Sequence, residues 1–194
     1  MTVFSLLGLP GSGKSFYGQQ LATAFHIPFL PEIATQLIHK KGFVPGAQGS
    51  LQFDQEIYMA NIQTTNEVLA LDHSVIWEGG PLQDRVFIEA RIKFRSHISK
   101  RRQLLTLYES SIFKRLHRHT YYLLFDIAPT NSLQRQKTRQ KPELLIVDLD
   151  FLADLRDKLL LFCETHPQQT WIVDMHQSKQ QVIDQLFHKF QELC

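Results

Sequence analysis

The chain has 194 residues, 43% hydrophobic and 21% charged, with a formal net charge of +2. That profile suits one globular domain large enough to bury a substantial core, and it excludes low-complexity and repeat architectures. No apolar run approaches bilayer-spanning length, and Met1 leads straight into a strand, so no membrane anchor or signal peptide is expected; Cys163 and Cys194, lone and without metal-type spacing, suit a reducing cytoplasm.

Residues 2–7 read as a buried strand entering Gly8-Leu9-Pro10-Gly11-Ser12-Gly13-Lys14-Ser15, a full match to G-x-x-x-x-G-K-[ST]. Tyr17, Leu21, Ala24 and Phe25 follow at helical spacing. Small residues at Gly8, Gly11, Ser12 and Gly13 let backbone N–H groups ring the β-phosphate of ATP. Lys14 then reaches the β/γ oxygens, and the Ser15 hydroxyl can hold Mg²⁺. The positive end of the following helix points at the same anion.

A short strand over 26–30 leads to a helix opening at Pro31-Glu32. A Gly/Pro loop (42–49) precedes a long helix over about 51–71. Residues 74–77 form a third strand that ends in Glu78-Gly79-Gly80-Pro81, and helices fill 83–117. The last two strands cover 121–125 and 171–173. Between them lie a basic lid segment (about 133–147) and a helix with Leu152, Leu155, Leu159 and Phe162 at core spacing. The final helix starts at a capping box, Ser178 to Gln181, and buries Val182, Leu186, Phe190 and Leu193. The alternation implies a single α/β domain: a mostly parallel sheet with helices on both faces and ligands at the carboxyl ends of the strands.

Three polar clusters fall on that edge: the glycine-rich loop, Pro31-Glu32 and Glu78. Transfer of a phosphoryl group to a hydroxyl needs a carboxylate near the acceptor, a metal site and positive charge. Glu32 is the candidate base; its alternative is a favourable charge at a helix N-terminus, worth about 0.5 kcal/mol. Glu78 is the candidate metal partner beside Ser15, and Asp84 and Arg85, one helix turn on, are expected to face the same edge. Arg135 and Arg139, four residues apart, with Lys141 after them, can close over ATP. Gln55, on the long helix, is a candidate hydrogen-bond partner for the acceptor, with an exposed polar residue as its alternative. Residues 91–119 carry nine Lys or Arg against one carboxylate, Glu109. Such a segment can face nucleic acid or anionic nucleotides, and the solvated face of two helices is the simpler expectation.

Taken together, these islands resemble the deoxynucleoside kinase family within the thymidylate-kinase-like P-loop kinases. Pro31-Glu32 looks like the family's Pro-Glu, which supplies the base for the 5′-hydroxyl. Glu78 with Asp84-Arg85 and Phe87 is similar to its E-R-S…D-R-x-x-F stretch. Arg135-x-x-x-Arg139-x-Lys141, then Glu143 and residues 149–152, resembles its lid and the helix behind. The resemblance implies a five-stranded parallel sheet and transfer of the ATP γ-phosphate to a nucleoside 5′-OH. Lys14, Glu32, Arg135 and Arg139 would be catalytic, Ser15 and Glu78 would hold Mg²⁺, and Glu32, Gln55, Glu78, Asp84 and Arg85 would meet the acceptor. Three positions depart from the family: Gly79-Gly80 replace Arg-Ser, Gln36 stands where Arg is usual, and Lys141 cannot make the two-point contact of a third lid arginine. Ribosylnicotinamide-type and nucleoside-monophosphate kinases stay open as alternatives, as does a non-catalytic ATP-binding regulator that contacts RNA. No membrane partner is expected, nucleic acid is disfavoured, and a homodimer is left open.

Overall fold

The structure, a computed structural model, describes residues 1–94, 97–139 and 142–193. Five strands form one parallel sheet: β1 (Val3–Gly8), β2 (Phe29–Leu30), β3 (Val75–Glu78), β4 (Thr120–Asp126) and β5 (Thr170–Asp174). Their spatial order is β2-β3-β1-β4-β5. The chain moves from one side of β1 to the other between β3 and β4, so β1 opens at the switch point where open α/β sheets bind ligands. Apolar runs on β1 and β3 are buried throughout, as a strand covered on both faces requires. The second strand is shorter than the 26–30 expected, because only Phe29 and Leu30 find ladder partners on β3.

Around the sheet lie α1 (Lys14–Phe25), α2 (Ile33–Lys41), α3 (Leu51–Leu69), α4 (Pro81–Phe94), α5 (Ile98–Leu107), α6 (Ser111–Arg118), α7 (Pro129–Thr138), α8 (Leu149–Thr165) and α9 (Lys179–Leu193), with a 3-10 turn at Gly46–Gln48 and another at Pro142–Leu144. Helix starts follow local chemistry. Ser50 caps α3 by accepting from the Phe53 N–H, and Asp148 caps α8 by accepting from the Phe151 N–H. The capping box before α9 is formed: Ser178 N–H donates to Gln181 Oε1 at 3.0 Å, and Gln181 N–H reaches back to Ser178 Oγ at 3.4 Å. The main core joins Phe4, Leu6, Leu124, Phe125, Phe151, Leu155 and Phe190, and a smaller one behind β3 joins Val3, Val75, Trp77 and Leu116. Among the described residues no helix is long and apolar enough to cross a membrane.

One feature of the basic segment departs from expectation. Arg91 and Arg101 are not on a solvated face; both are fully buried, and both pair with Asp54 on α3. Arg91 Nε also donates to the Gly46 carbonyl at 2.8 Å, and Arg101 Nη2 to the Gly49 carbonyl at 2.7 Å. Helices α4 and α5 are thereby fastened through one carboxylate to α3 and the loop before it. Removing that carboxylate takes the shared counter-charge away from two buried guanidinium groups. Asp54→Asn is therefore expected to lower stability by about 3–5 kcal/mol in urea unfolding; an unchanged midpoint would mean that the arginines reach water or other acceptors.

Candidate active site

The loop after β1 wraps its own lysine. Lys14 Nζ donates to the Gly8 carbonyl at 2.8 Å and to the Leu9 carbonyl at 3.1 Å, and the side chain is only 5% exposed. Neutral carbonyls are weak partners for a buried ammonium, so phosphate oxygens entering the loop would compete for it successfully. Gly11 (φ +81°) is where glycine is indispensable: a Cβ there would stand 2.9 Å from the Ser132 carbonyl, in a backbone region hostile to side chains. Helix α7 lies on the loop at this point, and Ser132 Oγ donates to the Pro10 carbonyl at 2.5 Å.

Strand register brings the next group in. Leu6 pairs with Glu78, so the last residue of β3 lies beside the loop, and Ser15 Oγ donates to Glu78 Oε1 at 2.6 Å. Burial, and then the charge of Glu32, push the Glu78 carboxyl above its ordinary value, against Lys14, the Ser15 hydroxyl and Arg139. A hydroxyl and a carboxylate in contact are hard oxygen donors that fit Mg²⁺, which commonly takes one or two protein ligands and completes its shell with phosphates and water. No group of three or more His, Cys, Asp or Glu suited to a metal forms among the described residues.

Glu32 is the N-cap residue of α2 and half-buried. Thr35 Oγ1 donates to its Oε2 at 2.6 Å, and Gln83 Nε2 donates to its Oε1 at 2.9 Å. The carbonyl end of Gln83 accepts from the Gly8 N–H, also at 2.9 Å.

Loop, Glu32 and Glu78 open into one cavity of about 470 Å³. Gly11, Gly13, Lys14, Ser15 and Arg139 line it. So do Phe53, Ile57, Phe87, Asp84 and Arg91, together with the segment Leu144–Leu145–Ile146. The Arg91 guanidinium lies 5.4 Å from the centre of the Phe53 ring and 5.6 Å from that of Phe87. Asp84 accepts from Asn61 Nδ2 at 2.8 Å. Burial pushes the Asp84 carboxyl up to about 7; Asn61 and Arg91 oppose the rise and the charge of Glu32 adds to it.

That shift has a stability consequence. An unfolded Asp84 releases its proton near its ordinary value of 3.8, while the folded one keeps it until about 7. Between those values the native state binds more protons, so this group makes stability fall as pH rises through the window and level off above it. Asp84→Asn removes that part of the slope. Between about pH 5 and pH 8, wild type is expected to lose on the order of 2–4 kcal/mol more than the variant in urea unfolding; equal slopes would mean that Asp84 titrates alike in both states.

The structure brings Lys14, Ser15, Glu32, Glu78, Asp84 and Arg139 to one cavity, and it corrects other expectations. Gln55 is exposed on α3, where the cavity-facing positions belong to Phe53 and Ile57, so it does not meet an acceptor there. Arg85 turns away from the loop edge: it pairs with Glu89 and Glu109 and lines a separate cavity of about 620 Å³ between α4, α6 and α8. A helix rotates side chains by about 100° per residue, so Asp84 and its neighbour Arg85 cannot share one face. Arg135 and Arg139 are also split. Arg139 lines the cavity, whereas Arg135 donates to the Met175 carbonyl at 3.1 Å and lies outside the lining. Lys141 lies outside the described residues. Sequence reasoning missed Gln83, Thr35 and Arg91. A signal for Arg91 existed, since Asp84, Phe87 and Arg91 stand at i, i+3 and i+7 on α4.

No family model matches this chain, and no curated protein sequence does. Among solved structures it is similar to deoxyadenosine kinase from M. mycoides. The form with the products dCMP and a flexible dCDP and the form with dATP each superpose with a TM-score of 0.77. The form with dCTP superposes with a TM-score of 0.71. In each case identity is 12%, over 98% of this chain and 100% of the other. At that identity the likeness speaks for architecture: the chain has the P-loop kinase fold seen in those deoxyadenosine kinases.

Proposed function

We propose that this protein is a nucleoside kinase that transfers the γ-phosphoryl group of ATP to the 5′-hydroxyl of a deoxynucleoside. One observation carries the reading: a single cavity of about 470 Å³ is lined by a phosphate-binding loop, by the carboxylates of Glu32 and Glu78, and by aromatic and apolar side chains. That volume suits a nucleoside-sized molecule. The M. mycoides kinases, described with deoxynucleotides bound, support the same substrate class.

In this reading the loop amides and Lys14 bind the donor phosphates. Glu32, free to accept a proton through its remaining lone pairs, takes the proton of the attacking hydroxyl, and Arg139 stabilises the charge on the moving phosphoryl group. Ser15 and Glu78 would hold Mg²⁺, which supplies charge neutralisation on the β- and γ-phosphates. Phe53, Ile57 and Phe87 bury the base and exclude water, while Asp84 and Arg91 offer the polar contacts that orient it. An already ionised monophosphate acceptor would have little use for Glu32.

The test is a coupled ADP-formation screen over the deoxy- and ribonucleosides, nucleoside monophosphates and nicotinamide riboside. ADP formation that depends on a deoxynucleoside and yields its 5′-monophosphate is expected. Turnover with monophosphates alone, or with no acceptor at all, would overturn the reading.

A further inference from the structure

Glu32 is poorly tethered for a group that must meet a hydroxyl at a defined distance. It follows a two-residue strand at the sheet edge and precedes the first turn of α2. Its bond from Thr35 comes from that same helix, so the two move together and Thr35 cannot fix Glu32 relative to the donor site. Among the described residues, the side-chain bond that does cross to another part of the fold comes from Gln83 in the first turn of α4.

We infer that Gln83 is a positioning residue that holds the base in register with the phosphate loop, an inference that rests on the kinase reading above. Its side chain is 1% exposed and both ends of its amide are used. The orientation is dictated by chemistry. The Gly8 N–H can only donate, so it faces Oε1; an ionised carboxylate can only accept, so it faces Nε2. A flipped amide would set donor against donor and acceptor against acceptor. Gln83 thus ties a backbone atom of the loop to a carboxylate oxygen of Glu32 through two bonds of 2.9 Å. The turn before α4 makes room for it: Gly79 has φ +78°, and a Cβ there would stand 3.2 Å from Gln83 Nε2. Other charged groups lining the cavity around Glu32 are Glu78 from β3, Asp84 and Arg91 from α4, Lys14 from α1 and Arg139 after α7. None of them makes this bridge.

Gln83→Glu keeps size and shape and leaves an oxygen for the Gly8 N–H, but it turns the donor facing Glu32 into an acceptor. Misplacing a reacting group by about 1 Å costs roughly 10²-fold, so kcat for the nucleoside is expected to fall by about that factor. KM for ATP should change by less than about threefold, because loop binding is retained. The acidic limb of the kcat/KM profile should move to higher pH, since two neighbouring carboxylates share a proton. Gln83→Met, which removes both bonds while filling the space, should lose kcat without that displacement of the limb. Wild-type kcat and an unmoved limb in Gln83→Glu would overturn the inference. Side-chain amide NMR reads the bridge without turnover: the Gln83 resonance should shift and lose exchange protection in Glu32→Ala. An unchanged resonance would overturn the inference even if the kinase reading stands. A wild-type protein inactive with every acceptor would instead sink the kinase reading while the NMR result still decides the bridge.

Discussion

Lys14→Ala is expected to reduce nucleoside-dependent ADP formation by at least about 10³-fold, to the floor of a coupled assay. Lys14 is the cation at the centre of the loop, and its ammonium is held by two backbone carbonyls that cannot neutralise it. A triphosphate arriving there exchanges weak dipole partners for full negative charges inside a site that excludes water, where the interaction is strongest. Without the ammonium, the loop keeps its amides and its glycine geometry but loses the charge that draws density from the transferring group. ATP affinity should fall together with turnover. Nucleoside-dependent turnover that survives in Lys14→Ala would mean that the chemistry happens elsewhere.

The second large effect separates binding from chemistry. Glu32→Gln preserves size: its one amide oxygen can still accept from Gln83 and its NH2 can donate to the Thr35 hydroxyl, but it cannot take a proton. Turnover is expected to drop by roughly 10²–10⁴. ATP binding, followed by calorimetry, should persist near the wild-type value, because Glu32 does not touch the loop directly; its link runs through Gln83. Unchanged kcat in this variant would remove Glu32 from the mechanism and favour an acceptor that arrives already ionised. A large loss of ATP binding would mean that the substitution disturbs the loop itself rather than removing a base.

The two variants also test whether the cavity works as one unit. The phosphate loop and the apolar lining are joined by buried contacts. Ser132 holds Pro10 of the loop, Gln136 bonds Ser132, and Gln136 Oε1 accepts from the Ile146 N–H. Ile146 packs against Gly46, whose carbonyl accepts from Arg91. The loop and the segments of the apolar lining are thus in direct mechanical contact, as transfer in a dry site would require.

Much of this was legible in the residues alone, and for identifiable reasons. The phosphate loop is local: eight consecutive positions with the right backbone freedom carry their chemistry wherever a strand delivers them and a helix follows. The alternation of strands and helices was equally readable, because burial on both faces leaves continuous apolar runs and one-sided burial leaves a helical stripe. Glu78 could be placed because it ends a strand, and strand ends converge on one edge. The tertiary structure decided what depends on rotation and on distant partners. Whether Asp84 or Arg85 enters the cavity is a matter of about 100° about the α4 axis, which no spacing argument resolved. Arg91 and Arg101 looked like surface charge until Asp54, 37 and 47 positions away, was found between them. Gln83 carries no motif; its bond to the loop arises because parallel pairing of β1 with β3 brings Gly8 within reach of a residue 75 positions later. Local backbone chemistry wrote the phosphate loop into the chain, whereas the cavity beside it and the Gln83 bridge to Glu32 exist only once distant strands and helices meet.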